Sequence, residues 1–226
     1  MDLQAQAEAF RNQEEFEDVP VEWDQLRGMR TKSYNMPVFT YMNDYHMSCL
    51  YEDELIRLYL NQALPYPELY PEMPDRAGMS FVHVLAVPKE RIYNACALRP
   101  GDAGLVEHMM DTFDYYINCE DYRNELLVEL TRRCVPQLET THLRNTFTES
   151  VSLVRDKRWD SIGYYFHLHP NHSVGHLHMH CLLHGPGLTT EVFHNLSYKN
   201  TPARVVLNGL KSNDANKLDG DNHDQD

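Results

Sequence analysis

The run His176-Leu177-His178-Met179-His180-Cys181-Leu182-Leu183 constrains this chain more than any other stretch, because it sets three imidazoles at strict two-residue spacing with apolar residues between them. Alternate side chains of a β-strand share a face. The spacing therefore predicts one strand that sends all three rings into one place while Leu177, Met179 and Cys181 enter a core. Burying several ionisable rings together is costly unless each has a task. Three readings are open. The rings are core histidines bonded to backbone. Alternatively they are half of a zinc or iron site, with His167 and His169 on the partner strand as further ligands. No Asp or Glu lies between Ser161 and Thr190, so a carboxylate ligand would have to come from elsewhere in the fold. In the third reading a neutral imidazole nitrogen attacks phosphorus, and its neighbours fix its tautomer and offset the developing charge.

The rest of the chain predicts an α+β domain. Met47 to Asn61 reads as two short strands joined by a turn around Glu52-Asp53-Glu54, the second carrying Leu58 and Leu60 against Arg57 and Tyr59. Residues 62–80 hold Pro65, Pro67, Pro71 and Pro74 and read as a long insertion loop. The run Phe81 to Val87, closed by Pro88, reads as a central strand. Helical periodicity over Asp102–Cys119 and Tyr122–Cys134 predicts two main helices, the second ended by Pro136. Gly163–His169 and Gly175–Leu183 then read as a hairpin about a tight turn at Pro170-Asn171-His172. Strands, two helices and strands again give an antiparallel sheet of about five strands with a helical layer.

Residues 1–30 form an acidic extension, 31–210 the domain, with core motifs over 49–183, and 211–226 an Asp/Asn-rich tail too polar to order itself. Twenty basic residues against 34 acidic give a net charge of −14, which argues against a general nucleic-acid partner. Five scattered cysteines without a CxxC pair fit a reducing compartment. With a polar, acidic start and no stretch of the ~20 apolar residues that a bilayer requires, the expectation is cytoplasm or nucleus and no membrane partner.

HLHMHCLL fits a His-φ-His-φ-His-φ-φ signature, φ being apolar, and the sequence resembles the histidine triad family of nucleotide hydrolases and transferases. Cys49–Glu54 and Ile56–Asn61 resemble that family's opening strand pair, and Phe81–Ile92 resembles its next strand, ending in Pro-Lys and a basic-Ile pair. Gly163–Ser173 is similar to the corresponding segment of the aprataxin and scavenger-decapping branches, with His169 and Ser173 at matching places, although no aprataxin-type zinc finger follows. The long 62–80 loop departs from the family, whose crossing is short.

The resemblance implies that His178 is the nucleophile, attacking the α-phosphorus to form a nucleotidyl-histidine that water hydrolyses. It gives His176 an orienting role, His180 a hydrogen bond to the nucleophile or phosphoryl oxygens, and Ser173 a contact with the phosphate. Asn61 would grip the ribose and Tyr59 would pack on the base. His83 and His169 would complete the nucleotide site. Lys89 and Arg91 are the nearest basic residues that could meet a phosphate, and Tyr59, Tyr66, Tyr70 and Phe81 could form a lid that selects the leaving group. Neither a cofactor nor a metal is required, and a homodimer is implied. The competing functions are a catalytically silent nucleotide-binding module and a repurposed, metal-dependent catalyst for a non-nucleotide metabolite.

Overall fold

The β-forming runs assemble into one open antiparallel sheet in the computed structural model, which describes residues 38–168, 171 and 174–220 together with residues 7, 8 and 11. The side chains of 213–220 lie outside that description. The strands are β1 (Tyr51–Glu52), β2 (Ile56–Leu60), β3 (His83–Pro88), β4 (Ser161–His167), β5 (Met179–His184) and β6 (Asn200–Pro202), in spatial order β1-β2-β3-β5-β4-β6. The helices among the described residues are α1 (Val38–Asp44), α2 (Ala103–Asn118), α3 (Glu120–Cys134), α4 (Thr141–Arg155), α5 (Glu191–Asn195) and α6 (Ala203–Gly220). None of them is long and apolar enough to cross a membrane.

Period-two alternation sorts the strand residues onto two faces. Ile56, Leu58 and Leu60 of β2, Val84 and Ala86 of β3, and Met179, Cys181 and Leu183 of β5 join the main core with Val106, Met109, Phe113 and Ile117 of α2 and Leu126 and Leu130 of α3. Each such large apolar side chain contributes about 1.5–3 kcal/mol by leaving water. On the opposite face the register aligns Tyr59, Leu85, His180 and Tyr165 in one row across β2, β3, β5 and β4. That face is covered as well, which is why every position of β2 is buried rather than every second one.

Its cover is α1, a helix that the sequence reading did not assign. Arg57 of β2 holds it in place. The buried guanidinium donates to the carbonyl of Asn43 at 2.9 Å and to Glu52 at 3.0 Å, so a cation faces the negative end of the helix. Tyr59 donates to Asn43 Oδ1 at 3.1 Å, and Arg91 pairs with Asp44 at 2.6 Å.

The turn between β1 and β2 falls where expected, because Asp53 Oδ1 accepts from the backbone N–H of Leu55 and Ile56 at 2.8 and 2.9 Å. The antiparallel α+β sheet of about five strands is as expected, with the short β6 as its sixth strand. Other expectations are corrected. Helix α4 occupies Thr141–Arg155, where the sequence predicts no element, and is started by Thr140, whose hydroxyl accepts from Leu143 N at 3.2 Å. The strand carrying the histidine run begins only at Met179, because the ladder with β4 ends at Tyr165↔His180 and the ladder with β3 ends at Ala86↔Met179, while β6 lies on the other edge of β4. His176 and His178 therefore precede the strand. The expected turn at 170–172 lies largely outside the described residues, although Asn171 N bonds Leu168 O at 2.8 Å.

Helix α6 continues through Gly220, into the stretch expected to stay disordered. Most of the 1–30 extension, and residues 221–226 of the tail, lie outside the described residues. The 62–80 loop is not free of structure, since it contains 3-10 turns at Pro67–Leu69 and Pro74–Arg76. Gly78 N to Leu64 O at 2.9 Å closes the loop on itself, and Ser80 Oγ to Leu183 O at 2.6 Å ties its end to β5.

Candidate active site

The backbone of 176–178 lies against the segment that follows β3, where Leu177 N donates to Ile92 O at 2.7 Å. This places the His176 ring between two partners. Its Nε2 is 2.9 Å from the carbonyl of Pro88 and its Nδ1 is 2.7 Å from the Thr40 hydroxyl of α1. A carbonyl only accepts, so Nε2 carries the hydrogen and Nδ1 accepts from Thr40. Pro88 O also accepts from Asn43 Nδ2 at 2.8 Å, so one carbonyl ties α1 to the histidine run.

The same reasoning fixes His178. Its Nδ1 sits 2.8 Å from the carbonyl of His176, so Nδ1 is the N–H and the lone pair is on Nε2. Phe39 of α1 covers the ring with centroids 4.8 Å apart. Burial pushes both His176 and His178 down to about 4, so each is neutral near pH 7. A neutral imidazole with one nitrogen tethered and the other bearing its lone pair at a cavity wall is the form a nucleophile requires.

A second chain of rings sets His180. Asn61 Nδ2 donates to His83 Nδ1 at 2.9 Å, which leaves the His83 hydrogen on Nε2, and that nitrogen donates to His180 Nδ1 at 2.8 Å. The hydrogen of His180 must then be on Nε2, which is buried without a protein partner among the described residues. His167 lies over His180 with centroids 4.0 Å apart, its own Nε2 donating to Asn200 Oδ1 at 2.8 Å. Burial drives His83 and His167 down to about 3 and takes His180 well below its ordinary value. Repulsion from Lys199 adds to the effect at His167 and His180.

These groups open on a cavity of about 890 Å³. One wall is apolar, where Phe39 and Met42 of α1 pack with Leu85 and Val174; the charged lining mixes Arg76, Arg132, Arg133 and Lys199 with Asp75, Glu125 and Glu129.

Of the residues singled out from sequence, His178, His180, His83, Asn61 and Tyr59 line this cavity, while His176 supports it from behind at 1% exposure. Asn61 spends its amide on His83, and Tyr59 is packed among Phe39, Leu85 and Val87. Ser173 and His169 lie outside the described residues. Among the lid candidates, Tyr70 reaches the cavity, whereas Tyr66 and Phe81 are buried in the main core. Lys89 and Arg91 are occupied elsewhere, in 2.6 Å pairs with Glu52 and Asp44. No group of three His, Cys, Asp or Glu among the described residues is arranged to hold a metal ion.

Sequence reasoning missed Phe39, Thr40 and Lys199. The first two sit on a helix of seven residues with no acidic residue in its first turn and no basic one in its last, and Lys199 follows the histidine run across a segment with no recognisable motif.

Comparison with protein families matches residues 41–194, well over half of the chain, to the family described as scavenger mRNA decapping enzyme C-term binding. Comparison with curated proteins gives no match.

Proposed function

Because the chain belongs to the scavenger mRNA decapping enzyme C-terminal family of the histidine triad superfamily, whose members are nucleotide-binding hydrolases, we propose that it cleaves a nucleoside 5′-phosphate conjugate at the α-phosphorus through His178. The observation that carries this reading is the state of that ring: neutral, anchored through Nδ1–H on the carbonyl of His176, with the Nε2 lone pair at the cavity wall.

In the first step the Nε2 lone pair forms an N–P bond as the bond from phosphorus to the leaving oxygen breaks, and that oxygen departs with the electron pair. The ring becomes cationic, keeps its Nδ1 hydrogen and is stabilised by the carbonyl that holds it. Water then attacks phosphorus, the N–P bond returns its pair to Nε2, and nucleoside monophosphate leaves with one proton released. The Nε2–H of His180 serves as a donor to the phosphoryl oxygens. The apolar wall at Phe39 and Met42 suits the base, and the α3 and loop side suits the leaving group.

The test is a rapid acid quench with an α-phosphorus-labelled nucleotide conjugate. The expected result is acid-labile label on the wild type and none on His178→Ala, with turnover lost by at least ~10³-fold. Turnover retained by His178→Ala across a panel of nucleotide conjugates, or tight nucleotide binding with no product from the wild type, would overturn the reading. The homodimer implied by the resemblance belongs to the same proposal, and light scattering of the purified chain checks it.

A further inference from the structure

One turn of α1 closes on a single hydrogen bond from both ends. The His176 ring donates through Nε2–H to Pro88 O at 2.9 Å; Thr40 Oγ lies 2.7 Å from Nδ1 of the same ring, and Asn43 Nδ2 donates to the same carbonyl at 2.8 Å. Residues three apart share a helix face, so Thr40 and Asn43 meet the pair together. Asn43 is itself held. Its Oδ1 accepts from Tyr59 at 3.1 Å and its backbone carbonyl accepts from Arg57 at 2.9 Å.

Threonine is a poor choice for a helix interior unless its hydroxyl has a task. Here the ring hydrogen of His176 is on Nε2, so Nδ1 is an acceptor and the Thr40 hydroxyl is the donor. Thr40 is fully buried, and valine has nearly its shape, so packing alone does not ask for an oxygen there. Bonds to two different atoms of the His176 ring fix its tilt as well as its place. That constraint reaches the next ring, because the carbonyl of His176 accepts from Nδ1 of His178 at 2.8 Å, while Leu177 N between them is held by Ile92 O at 2.7 Å.

We propose that Thr40 is a positioning residue for the nucleophile: its hydroxyl locks the His176 ring against Pro88, and the His176 carbonyl then holds His178 so that the Nε2 lone pair keeps its aim at phosphorus. This rests on the nucleotidyl-transfer reading above. No bond to Thr40 forms or breaks in the reaction. Its contribution is largest when the His178 ring is cationic, because a charged ring bonds the carbonyl through Nδ1–H more strongly than a neutral one does. A carbonyl free to swing gives up part of that gain.

The experiment compares Thr40→Val, which keeps the shape and removes the donor, with Thr40→Ser, which keeps the donor and removes a methyl group. Thr40→Val is expected to lower kcat about tenfold with a smaller change in KM, and Thr40→Ser to remain within about threefold of the wild type. Nitrogen chemical shifts read the cause without substrate. His176 Nδ1 should move toward the shift of an unbonded lone pair in Thr40→Val and stay in place in Thr40→Ser, and the Nδ1 hydrogen of His178 should exchange with solvent faster in Thr40→Val. A role in packing alone predicts the reverse order, with Thr40→Ser the weaker enzyme.

Wild-type kcat in Thr40→Val, a Thr40→Ser enzyme as impaired as Thr40→Val, or unchanged exchange of the His178 Nδ1 hydrogen in Thr40→Val would overturn the proposal. If Thr40→Val fails to fold, Thr40→Ala takes its place in the same assays. A wild type that forms no labelled adduct on His178 would refute the transfer reading instead, and the nitrogen shifts and hydrogen exchange, which need no turnover, would still decide whether Thr40 positions His178.

Discussion

The Nε2 of His83 lies 2.8 Å from Nδ1 of His180, and this ring-to-ring bond decides which nitrogen of His180 carries a hydrogen. The direction is set one step further away, by the amide of Asn61 at 2.9 Å from His83. Asn61 thus acts on His180 through two ring nitrogens of His83.

Replacing Asn61 by Asp reverses the first donor, since a carboxylate only accepts. The hydrogen of His83 is drawn to Nδ1, His83 Nε2 becomes an acceptor, and His180 must turn its own hydrogen to Nδ1. Asn61→Asp is expected to lower kcat about tenfold or more, the cost of one hydrogen bond in a dry site, with a smaller change in KM. Steady-state kinetics on a nucleotide conjugate checks it, and nitrogen chemical shifts of His83 and His180 report the tautomer directly.

The acid limb of catalysis follows from His178. Burial disfavours its imidazolium and pushes it down to about 4 in the folded protein, so the proposed nucleophile is neutral at any pH well above that. The pH profile of kcat/KM is expected to be flat from about pH 6 to 8 and to fall on the acid side only as pH approaches 4, rather than at the 6.5 of an exposed histidine. An acid limb near 6.5 would mean that the nucleophile is a solvated ring.

Stability responds to the same burial with a definite sign. His83 and His167 at about 3, and His176 and His178 at about 4, are all depressed from 6.5. Between 6.5 and those values the unfolded chain binds more protons than the folded one. The stability contribution of keeping the rings neutral is therefore complete above pH 6.5 and is lost as pH falls toward 4, by up to about 1.4 kcal/mol per pH unit and per ring. Melting scans from pH 7.5 down to 4.5 should show a steep drop in Tm that replacing two of the rings by apolar residues reduces.

Arg57 is expected to matter to catalysis without touching the cavity. Arg57→Met removes the donors that hold the carbonyls of Met42 and Asn43, while Glu52 keeps Lys89 at 2.6 Å. The loss should be about 1–3 kcal/mol. Amide exchange over residues 38–44 should accelerate, and kcat should fall because Phe39 and Thr40 ride on that helix. Unchanged exchange there would show that α1 is held by its apolar packing alone.

Much of this was readable in the chain because it is local. The β2 and β3 strands announce themselves by alternation and a closing proline, and the spacing of His178 and His180 already places two rings at one site. The parts that were not readable are long-range. Helix α1 spans Val38–Asp44, has no acidic residue in its first turn and no basic one in its last, and takes its meaning from partners such as His176, 136 positions from Thr40. Helix α4 is rich in Thr and Ser, which favour caps over interiors, and its apolar stripe at Leu143, Phe147 and Val154 is sparse. The position of His176 and His178 ahead of β5 depends on where both neighbours of that strand stop pairing with it, at Ala86 of β3 and Tyr165 of β4, ends set by partners distant in sequence. Lys89 and Arg91 attract attention by adjacency to a motif, yet each finds a carboxylate close by, and the buried cation of the cavity comes from a turn that no local pattern marks.

The Nε2–H of His180, without a partner among the described residues, has a consequence for the protein's survival as well as its chemistry. An enclosed donor with nothing to bond is a standing weakness of about 1–3 kcal/mol, relieved only when an acceptor arrives. Whatever anion occupies the site completes the interior, so the folded protein should outlast heat and proteases longer when its ligand is plentiful than when it is scarce.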